Sequence, residues 1–520
     1  MYPGAYLATT PTKPAVIMAD TGDTVTFAEL ETNSIRIARH LHRLGLRRGD
    51  HIAVLATNTP RVFDTYWAAM RSGLYVTMVN WHLTAPEIAY IVADCGAKAV
   101  IVDATLAEVA TTILPLIPDT EHRLVFGGTV TGYADLNSAA AAESDVPLAN
   151  QPRGADMLYS SGTTGRPKGI KPALPDRQVE EPGDTMTAMN ASVWGVTADT
   201  VYLSPAPLYH AAPLRTCAAV QALGGTVVVM NRFDAEKALE YIERYRITYS
   251  QWVPTMFVRM LKLPEEVRGR YDVSSLQVAV HAAAPCPVEV KRQMIEWWGP
   301  ILSEYYSSTE LNGMTLVDTD EWLRKPGTVG RSVLGVAHIC GEDGEELSAG
   351  QVGTIYFERD ALPFEYHNAP DKTRSVQHPQ HPAWTTTGDV GYLDEDGFLF
   401  LTDRGTFMII SGGVNIYPQE IENLLIEHPK VLDAGVIGLP DPEMGEIVTA
   451  VVQPVKGIDG ESALAVELID YLRERLAKYK IPRRIEFAHD LPRTPTGKLV
   501  KRTLKDRFVD APAGAARQYT

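Results

Sequence analysis

The chain has 520 residues, 45% hydrophobic and 22% charged, a length and balance that exclude both a single small module and a chain disordered over most of its length. Its 64 acidic against 48 basic residues give a formal net charge of −16, so the molecule as a whole repels the phosphates of nucleic acid and of anionic membranes. Cys95, Cys217, Cys286 and Cys340 show no metal-ligand or C-x-x-C spacing, which predicts inert thiols in a reducing cytosol and excludes a disulfide framework.

Met1 to Gly4 lack the basic stretch and apolar core of a secretory signal, and no apolar run approaches the roughly 20 residues that span a bilayer, so a cytoplasmic protein without an integral membrane segment is expected. Thr26-Phe27-Ala28-Glu29 has the form of a capping box, in which the hydroxyl and the carboxylate each serve an orphan backbone amide. Leu30, Ile37, Leu41 and Leu44 continue one apolar face, which predicts a helix starting there. An apolar run from Ile52 to Ala56, a helical stretch from Val62 to Met70 and a β-rich run from Ala99 to Val102 follow. Lys171 to Gly183, rich in proline and charge, reads as a mobile surface loop. Strands at Gly225 to Met230 and Leu276 to Val280 alternate with helices at Ala235 to Tyr245 and Val288 to Trp298, a pattern that predicts parallel sheets covered by helices.

From Val352 the pieces become shorter and extended: Val352 to Glu358, Val390 to Leu393, then Phe398 to Thr402 after the turn Asp394-Glu395-Asp396-Gly397. Asp-Gly between apolar runs signals a hairpin, so a small antiparallel sheet or barrel is expected. Beyond it lies a compact α/β pattern: a helix entered through Pro418, strands near Ala434 to Ile437 and Ile447 to Gln453, and a helix from Ser462. The boundary falls at Asp403-Arg404, giving units 1–403 and 404–520.

One segment carries chemistry by itself: Tyr159-Ser160-Ser161-Gly162-Thr163-Thr164-Gly165-Arg166-Pro167-Lys168-Gly169. Small residues expose backbone N–H groups, the hydroxyls add donors and Lys168 adds charge, a combination suited to a polyphosphate. It is not a Walker A loop, which needs Gly-Lys followed by Ser or Thr. A flexible surface loop would account for a shorter stretch, but not for a lysine set between proline and glycine.

With further segments in the same order, the chain resembles the adenylate-forming superfamily of acyl-CoA synthetases, adenylation domains of peptide synthetases and luciferases. The segments are Pro207-Leu208-Tyr209-His210, His281-Ala282-Ala283-Ala284-Pro285, Tyr306-Ser307-Ser308-Thr309-Glu310, Thr387-Gly388-Asp389, Asp403-Arg404 leading to Ser411-Gly412-Gly413, and Pro495-Thr496-Gly497-Lys498. Within the superfamily the likeness is to fatty acyl-CoA or bile-acid-type synthetases. It implies an α/β fold: a large N-terminal domain of stacked mixed β-sheets with helices and a small β-barrel, then a small mobile C-terminal α+β domain.

The resemblance also implies roles. Glu310, after Thr309, is a hard oxygen ligand of the kind Mg²⁺ takes beside substrate phosphates. Asp389 accepts both ribose hydroxyls, and Arg404 contacts the ribose. Ala282, Ala283, Ala284 and Pro285 would let a planar base lie against the backbone, with Tyr306 stacking on the other face and Ser307 and Ser308 nearby. His210 stands where acyl group, phosphate and thiol meet; taken alone, a single histidine is more often structural. Lys498 bridges the substrate carboxylate and the α-phosphate, Thr406 is the hinge, and Ser411, Gly412 and Gly413 line the route of coenzyme A. Tyr209, Val280, His281, Ser307, Gly313 and Met314 line the acyl pocket, which Asn312 helps to shape.

The expected substrates are therefore ATP with Mg²⁺, a small-molecule carboxylic acid and coenzyme A, with a homodimer as the assembly and nucleic acid excluded. Two departures from the family pattern matter. Thr406 replaces the usual charged hinge residue, and Ser307 replaces the usual glycine after Tyr306. Ser307 is far smaller than the tryptophan of acetate-specific relatives, so the pocket should extend past acetate to a medium or long aliphatic, aromatic or steroid-like acid. An acyl-AMP ligase loading a carrier protein and a catalytically silent nucleotide-binding regulator are the alternatives.

Overall fold

The computed structural model describes residues 1–160, 167–404, 407–411, 414–442, 444–458, 462–494 and 499–509. The expected capping box opens the helix Phe27–Arg43: Thr26 N donates to Glu29 Oε2 at 2.8 Å and Glu29 N to Thr26 Oγ1 at 3.2 Å. A second box, Thr84 with Glu87, opens the helix Ala85–Asp94. The first helix packs against the helix Pro60–Met70, burying Phe27, Leu30, Leu41, Phe63 and Trp67 in the largest core. Trp67 Nε1, inside that core, donates to Gln221 Oε1 at 2.7 Å, so a long-range bond satisfies a buried donor.

Two layered sheets follow from the β–α alternation. A six-stranded sheet, all parallel, centres on His51–Leu55 between Ala97–Asp103 and Tyr75–Met78. A nine-stranded mixed sheet has a parallel centre in which Leu302–Ser307, Val278–His281, Tyr249–Trp252, Val201–Ser204 and Thr226–Val229 lie side by side. Its edges turn antiparallel through Met314–Asp318 and Thr24–Thr26. The parallel strands are buried almost continuously, as helices on the faces require.

The later elements form separate sheets. Val336–Cys340, Gly353–Glu358, Asp389–Leu393 and Leu399–Arg404, with Trp384–Thr385 beside them, make a five-stranded antiparallel sheet. Another five-stranded sheet is dominated by the long hairpin Val431–Asp441 and Gly445–Pro454, with the helices Pro418–Glu427 and Ser462–Arg473 contributing to its core. The chain thus leaves one sheet at Arg404 and enters the next at Ile409.

Lys171 to Gly183 differs from its sequence reading as a mobile loop. Val179 is fully buried in the main core, Val179 N donates to Gln151 O at 2.9 Å, and Arg153 N donates to Arg177 O at 2.9 Å. The buried Val179 side chain and these backbone bonds anchor the segment together, with the Tyr75 hydroxyl donating to Pro172 O at 2.8 Å. No described helix is long and apolar enough to cross a membrane.

Candidate active site

Parallel strands deliver their C-terminal ends to one crevice, where ligands bind in open α/β sheets. Val201–Ser204 leads to Pro205 and Ala206, Tyr249–Trp252 to Val253, Val278–His281 to Ala282, and Leu302–Ser307 to Ser308. Pro205, Ala206, Val253, Ala282 and Ser308 all border a cavity of about 360 Å³. A second cavity, of about 180 Å³, adjoins it, and Ala283, Tyr305, Ser307 and Ser308 border both.

The first cavity has a polar rim and an apolar body. Ser160 and Lys168 border it, and they face each other across the antiparallel pair Leu158–Ser160 and Lys168–Lys171. Ser161, Gly162, Thr163, Thr164 and Gly165, between them, lie outside the described residues. Glu310 Oε1 accepts from the Tyr366 hydroxyl at 2.8 Å, and Lys168 Nζ lies 5.4 Å from the centre of that tyrosine's ring. Burial first, and the neighbouring Lys372 second, push the Lys168 amine down to about 8 against the pull of Glu310.

His210 precedes the helix Ala211–Ala222, and its Nε2 is buried without a hydrogen-bond partner among the described residues. Burial lowers its pKa to about 4, so it is a neutral imidazole at physiological pH. Tyr209 and Met314 line the cavity, and the Tyr209 hydroxyl is likewise buried without a partner among the described residues. Met78, Leu83, Ile91, Met186 and Trp252 supply apolar wall, and Glu310 is the sole carboxylate among the described lining residues.

The second cavity gathers Ala283, Ala284, Pro285, Tyr306 and Asp389. Ala282 borders the first cavity instead, beside Ser308 and Thr309. Ala283 has φ +74°, a left-handed conformation that strains a non-glycine residue and tightens the turn after the strand. Asp389 Oδ2 accepts from the Tyr306 hydroxyl at 2.7 Å and from Thr387 Oγ1 at 2.8 Å. Arg404 pairs with Asp389 across the antiparallel strands, backbone beside backbone.

Some expected residues stand elsewhere. Val280 and His281 are fully buried and border neither cavity; His281 faces the buried pair Lys291 and Glu304, which stand 2.6 Å apart. Gly313 also lies outside both linings, and a Cβ there would come within 2.0 Å of the Phe357 ring. Ser307 turns its hydroxyl back to Gly313 O, at 2.7 Å. Asn312 donates to Thr385 O at 3.2 Å, bracing the turn from behind. Ser411 borders neither cavity, while Thr406, Gly412, Gly413 and Lys498 lie outside the described residues. The residues flanking the last of these do reach the site: Thr494 borders the first cavity and Leu499 the second.

Other contributors carry no motif. Arg215 pairs with Asp156 at 2.7 Å and donates to Thr309 O at 3.3 Å, fixing the turn that bears Glu310. Asn58 donates to Ala206 O at 3.2 Å and accepts from Leu208 N at 2.9 Å, holding the loop that ends in His210. Phe407, Gln419, Arg493 and Lys501, all beyond the strand that ends at Arg404, border the second cavity as well. Only the fold brings these positions together, since none has a local spacing to read.

A family profile described as AMP-binding enzyme matches residues 5–366, and one described as AMP-binding enzyme C-terminal domain matches residues 420–498. The chain is 32% identical over 510 residues to long-chain-fatty-acid–CoA ligase FadD13 of Mycobacterium tuberculosis, covering 96% of each chain. It is 33% identical over 496 residues to feruloyl-CoA synthase of an Amycolatopsis species, covering 94% of each. ATP-bound MatB from Rhodopseudomonas palustris superposes with a TM-score of 0.80 at 29% identity, over 98% of this chain and 99% of that one.

Proposed function

The chain belongs to the AMP-binding enzyme family, and from that premise we propose an ATP-dependent acid:CoA ligase that activates a medium- or long-chain fatty, aromatic or steroid-type carboxylic acid as acyl-AMP. The observation that carries this reading is the junction of the two cavities at Ala283, Ser307 and Ser308. It would put a nucleotide on Tyr306 and Asp389 in contact with an acid lying against Tyr209 and Met314. The α-phosphorus would then lie between Lys168, Glu310 and His210.

A carboxylate oxygen attacks the α-phosphorus, the bond to the bridging oxygen breaks, and pyrophosphate leaves with the electron pair. Lys168 offsets the negative charge that gathers as two anions meet, and Lys498 is assigned the same task from the C-terminal unit. In the second step the thiolate of coenzyme A attacks the acyl carbon and AMP departs. Neutral His210 can donate a hydrogen bond there without attracting phosphate as a counter-charge. Glu310 suits Mg²⁺, which takes one or two carboxylates plus phosphate oxygens and waters; when bound, the ion would neutralise phosphate charge. Among the described residues no cluster of three potential ligands offers a self-sufficient metal cage.

The apolar wall supports the acid class. An amino acid would bring an ammonium group needing a carboxylate, and Glu310, the one in the described lining, is engaged by Tyr366. We further assign 1–403 and 404–520 as two units moving about Thr406, with Ser411, Gly412 and Gly413 serving coenzyme A in the second arrangement. Cytoplasmic location and a homodimer complete the proposal.

The test is incubation with ATP, Mg²⁺ and a panel of short, long, aromatic and steroid acids, with and without coenzyme A, followed by mass spectrometry. Acyl-CoA formed with equimolar AMP is expected. Acyl-AMP that persists in the presence of coenzyme A would replace this reading with transfer to a carrier protein, and absence of turnover with every acid would reject catalysis of this kind.

A further inference from the structure

The apolar body of the first cavity has one polar stretch, built on the strands Tyr249–Trp252 and Leu302–Ser307. Gln251 is in register with Val280 and Val280 with Ser303, so these residues and Tyr305, two positions further on, share one face of the sheet. Gln251 Nε2 donates to the Tyr305 hydroxyl at 2.9 Å. That bond reaches over the intervening strand Val278–His281, so the Tyr305 side chain lies across Val280. Val280 is thereby fully buried and kept from the cavity, while Tyr305 and Gln251 border it in its place.

The bonds around Gln251 have a direction. Its Oε1 accepts from Thr216 Oγ1 at 3.2 Å and from the Tyr202 hydroxyl at 3.4 Å, which turns the amide nitrogen toward Tyr305. The Tyr305 oxygen is therefore an acceptor, and among the described residues its own proton has no acceptor. Burial pushes this phenol up to about 12 against the Gln251 bond and Arg215, so the proton stays on it. A hydroxyl that accepts one bond is a stronger donor in the next, because a chain of hydrogen bonds polarises along its length. Water can take that proton in a solvated cavity. An alkyl chain that displaces the water cannot, and it strands the donor.

We propose that Tyr305, aimed by Gln251, reads an oxygen acceptor on the hydrocarbon part of the acid, a hydroxyl, methoxy or keto oxygen, so that the site selects an oxygenated acid over the bare acid of the same skeleton. The assignment narrows the acid class of the ligase reading above and rests on that reading. A site built to hydrogen-bond an oxygen rejects the analogue that lacks it, whereas a wholly apolar pocket discriminates poorly between the two. Arg215 also borders the cavity but is committed to Asp156, so the feature read is a neutral oxygen and not a second carboxylate.

The test compares matched pairs of acids on the full chain: ring-hydroxylated against unsubstituted cinnamic acid, oxo against unsubstituted dodecanoic acid, and hydroxylated against unsubstituted cholanic acid. The three pairs separate an aromatic, an aliphatic and a steroid carrier of the oxygen. In the pair whose skeleton fits, kcat/KM for acyl-CoA formation is expected to favour the oxygenated member about tenfold, which corresponds to roughly 1.4 kcal/mol. Tyr305→Phe keeps the ring over Val280 and removes the donor, so it should bring that ratio within twofold of unity. Gln251→Leu, which removes the amide that aims the phenol, should lower the same ratio, and it carries the test if melting shows that Tyr305→Phe does not fold. A parent ratio below twofold in every pair, or a variant that slows both members alike and keeps the ratio, overturns the assignment and leaves the ligase reading standing. Calorimetric binding of the same acids separates the two ideas. No turnover with any acid, together with tighter binding of the oxygenated member that is lost in Tyr305→Phe, would sink the ligase reading and keep the Tyr305 contact, and absence of both turnover and selective binding would overturn both.

Discussion

The Tyr366 hydroxyl donates to Glu310 while its ring lies under the Lys168 amine, so one side chain with no motif of its own touches both charges on the polar rim of the first cavity. Lys498 is assigned to the first half-reaction alone. Lys498→Ala should lower the rate of acyl-AMP formation by about 100-fold or more, the scale of losing one electrostatic contact to the transition state. Thioester formation from supplied acyl-AMP should stay within about twofold of the parent, and an equal loss in both assays would reject that division. Ser307 tests the acyl path. It borders both cavities with its hydroxyl bound to Gly313 O, so Ser307→Trp would fill the junction and should shift preference to the shortest acids. Ser307→Ala would remove only a hydrogen bond worth about 1 kcal/mol and should leave the chain-length profile intact. The same profile in all three proteins would place the acyl chain elsewhere.

Strands and turns explain which of these residues could be read in advance. The capping box at Thr26 and the helix Val288–Trp298 were legible because each is a local pattern. The turn Ala282 to Pro285 was legible for the same reason, although one residue of register decides its neighbours: His281 ends the strand pointing into the interior while Ala283 enters the site. The partners of His281 belong to other elements and were hidden. Glu304 on the strand Leu302–Ser307 and Lys291 on the helix Val288–Trp298 are fully or nearly fully buried and stand 2.6 Å apart, with Lys291 Nζ also 4.9 Å from the Trp322 ring. Burial raises the Glu304 pKa and Lys291 opposes the rise, so removing the lysine strands a carboxyl group in the interior. Lys291→Met should destabilise the protein by about 3–5 kcal/mol, whereas Lys291→Met combined with Glu304→Leu should recover most of that loss. Denaturant melts decide it: additive losses in the double variant would show that the pair is not energetically coupled.

Over the whole molecule, the order of motifs in the sequence pointed to two units, proposed here as 1–403 and 404–520, but not that residues of both would border one cavity. Phe407, Arg493 and Leu499 reach it from beyond Arg404, while Tyr306 and Asp389 reach it from the strands Leu302–Ser307 and Asp389–Leu393. The contact between the units is electrostatically poor. Lys262, at the end of the helix Pro254–Leu261, buries its amine without a hydrogen-bond partner among the described residues, and burial lowers its pKa to about 8 against the pull of Asp433. Glu427 is raised, first by burial and then by Glu289 facing it from the other unit. A permanently sealed interface would gain by pairing or replacing such groups, since a buried unpaired charge costs free energy. Their retention suits a contact that opens once per cycle, as the proposed rotation requires. Lys262→Met removes the desolvation cost while keeping an apolar stem of similar reach, so it should favour the arrangement seen here. Backbone amides of the helix Pro418–Glu427 should then exchange with solvent several-fold more slowly. Acyl-AMP formation should be unchanged, and thioester formation, which on the proposed rotation needs the other arrangement, should slow by a similar factor. Faster thioester formation, or unchanged exchange in that helix, would mean that Lys262 exerts no pull on the equilibrium between the units.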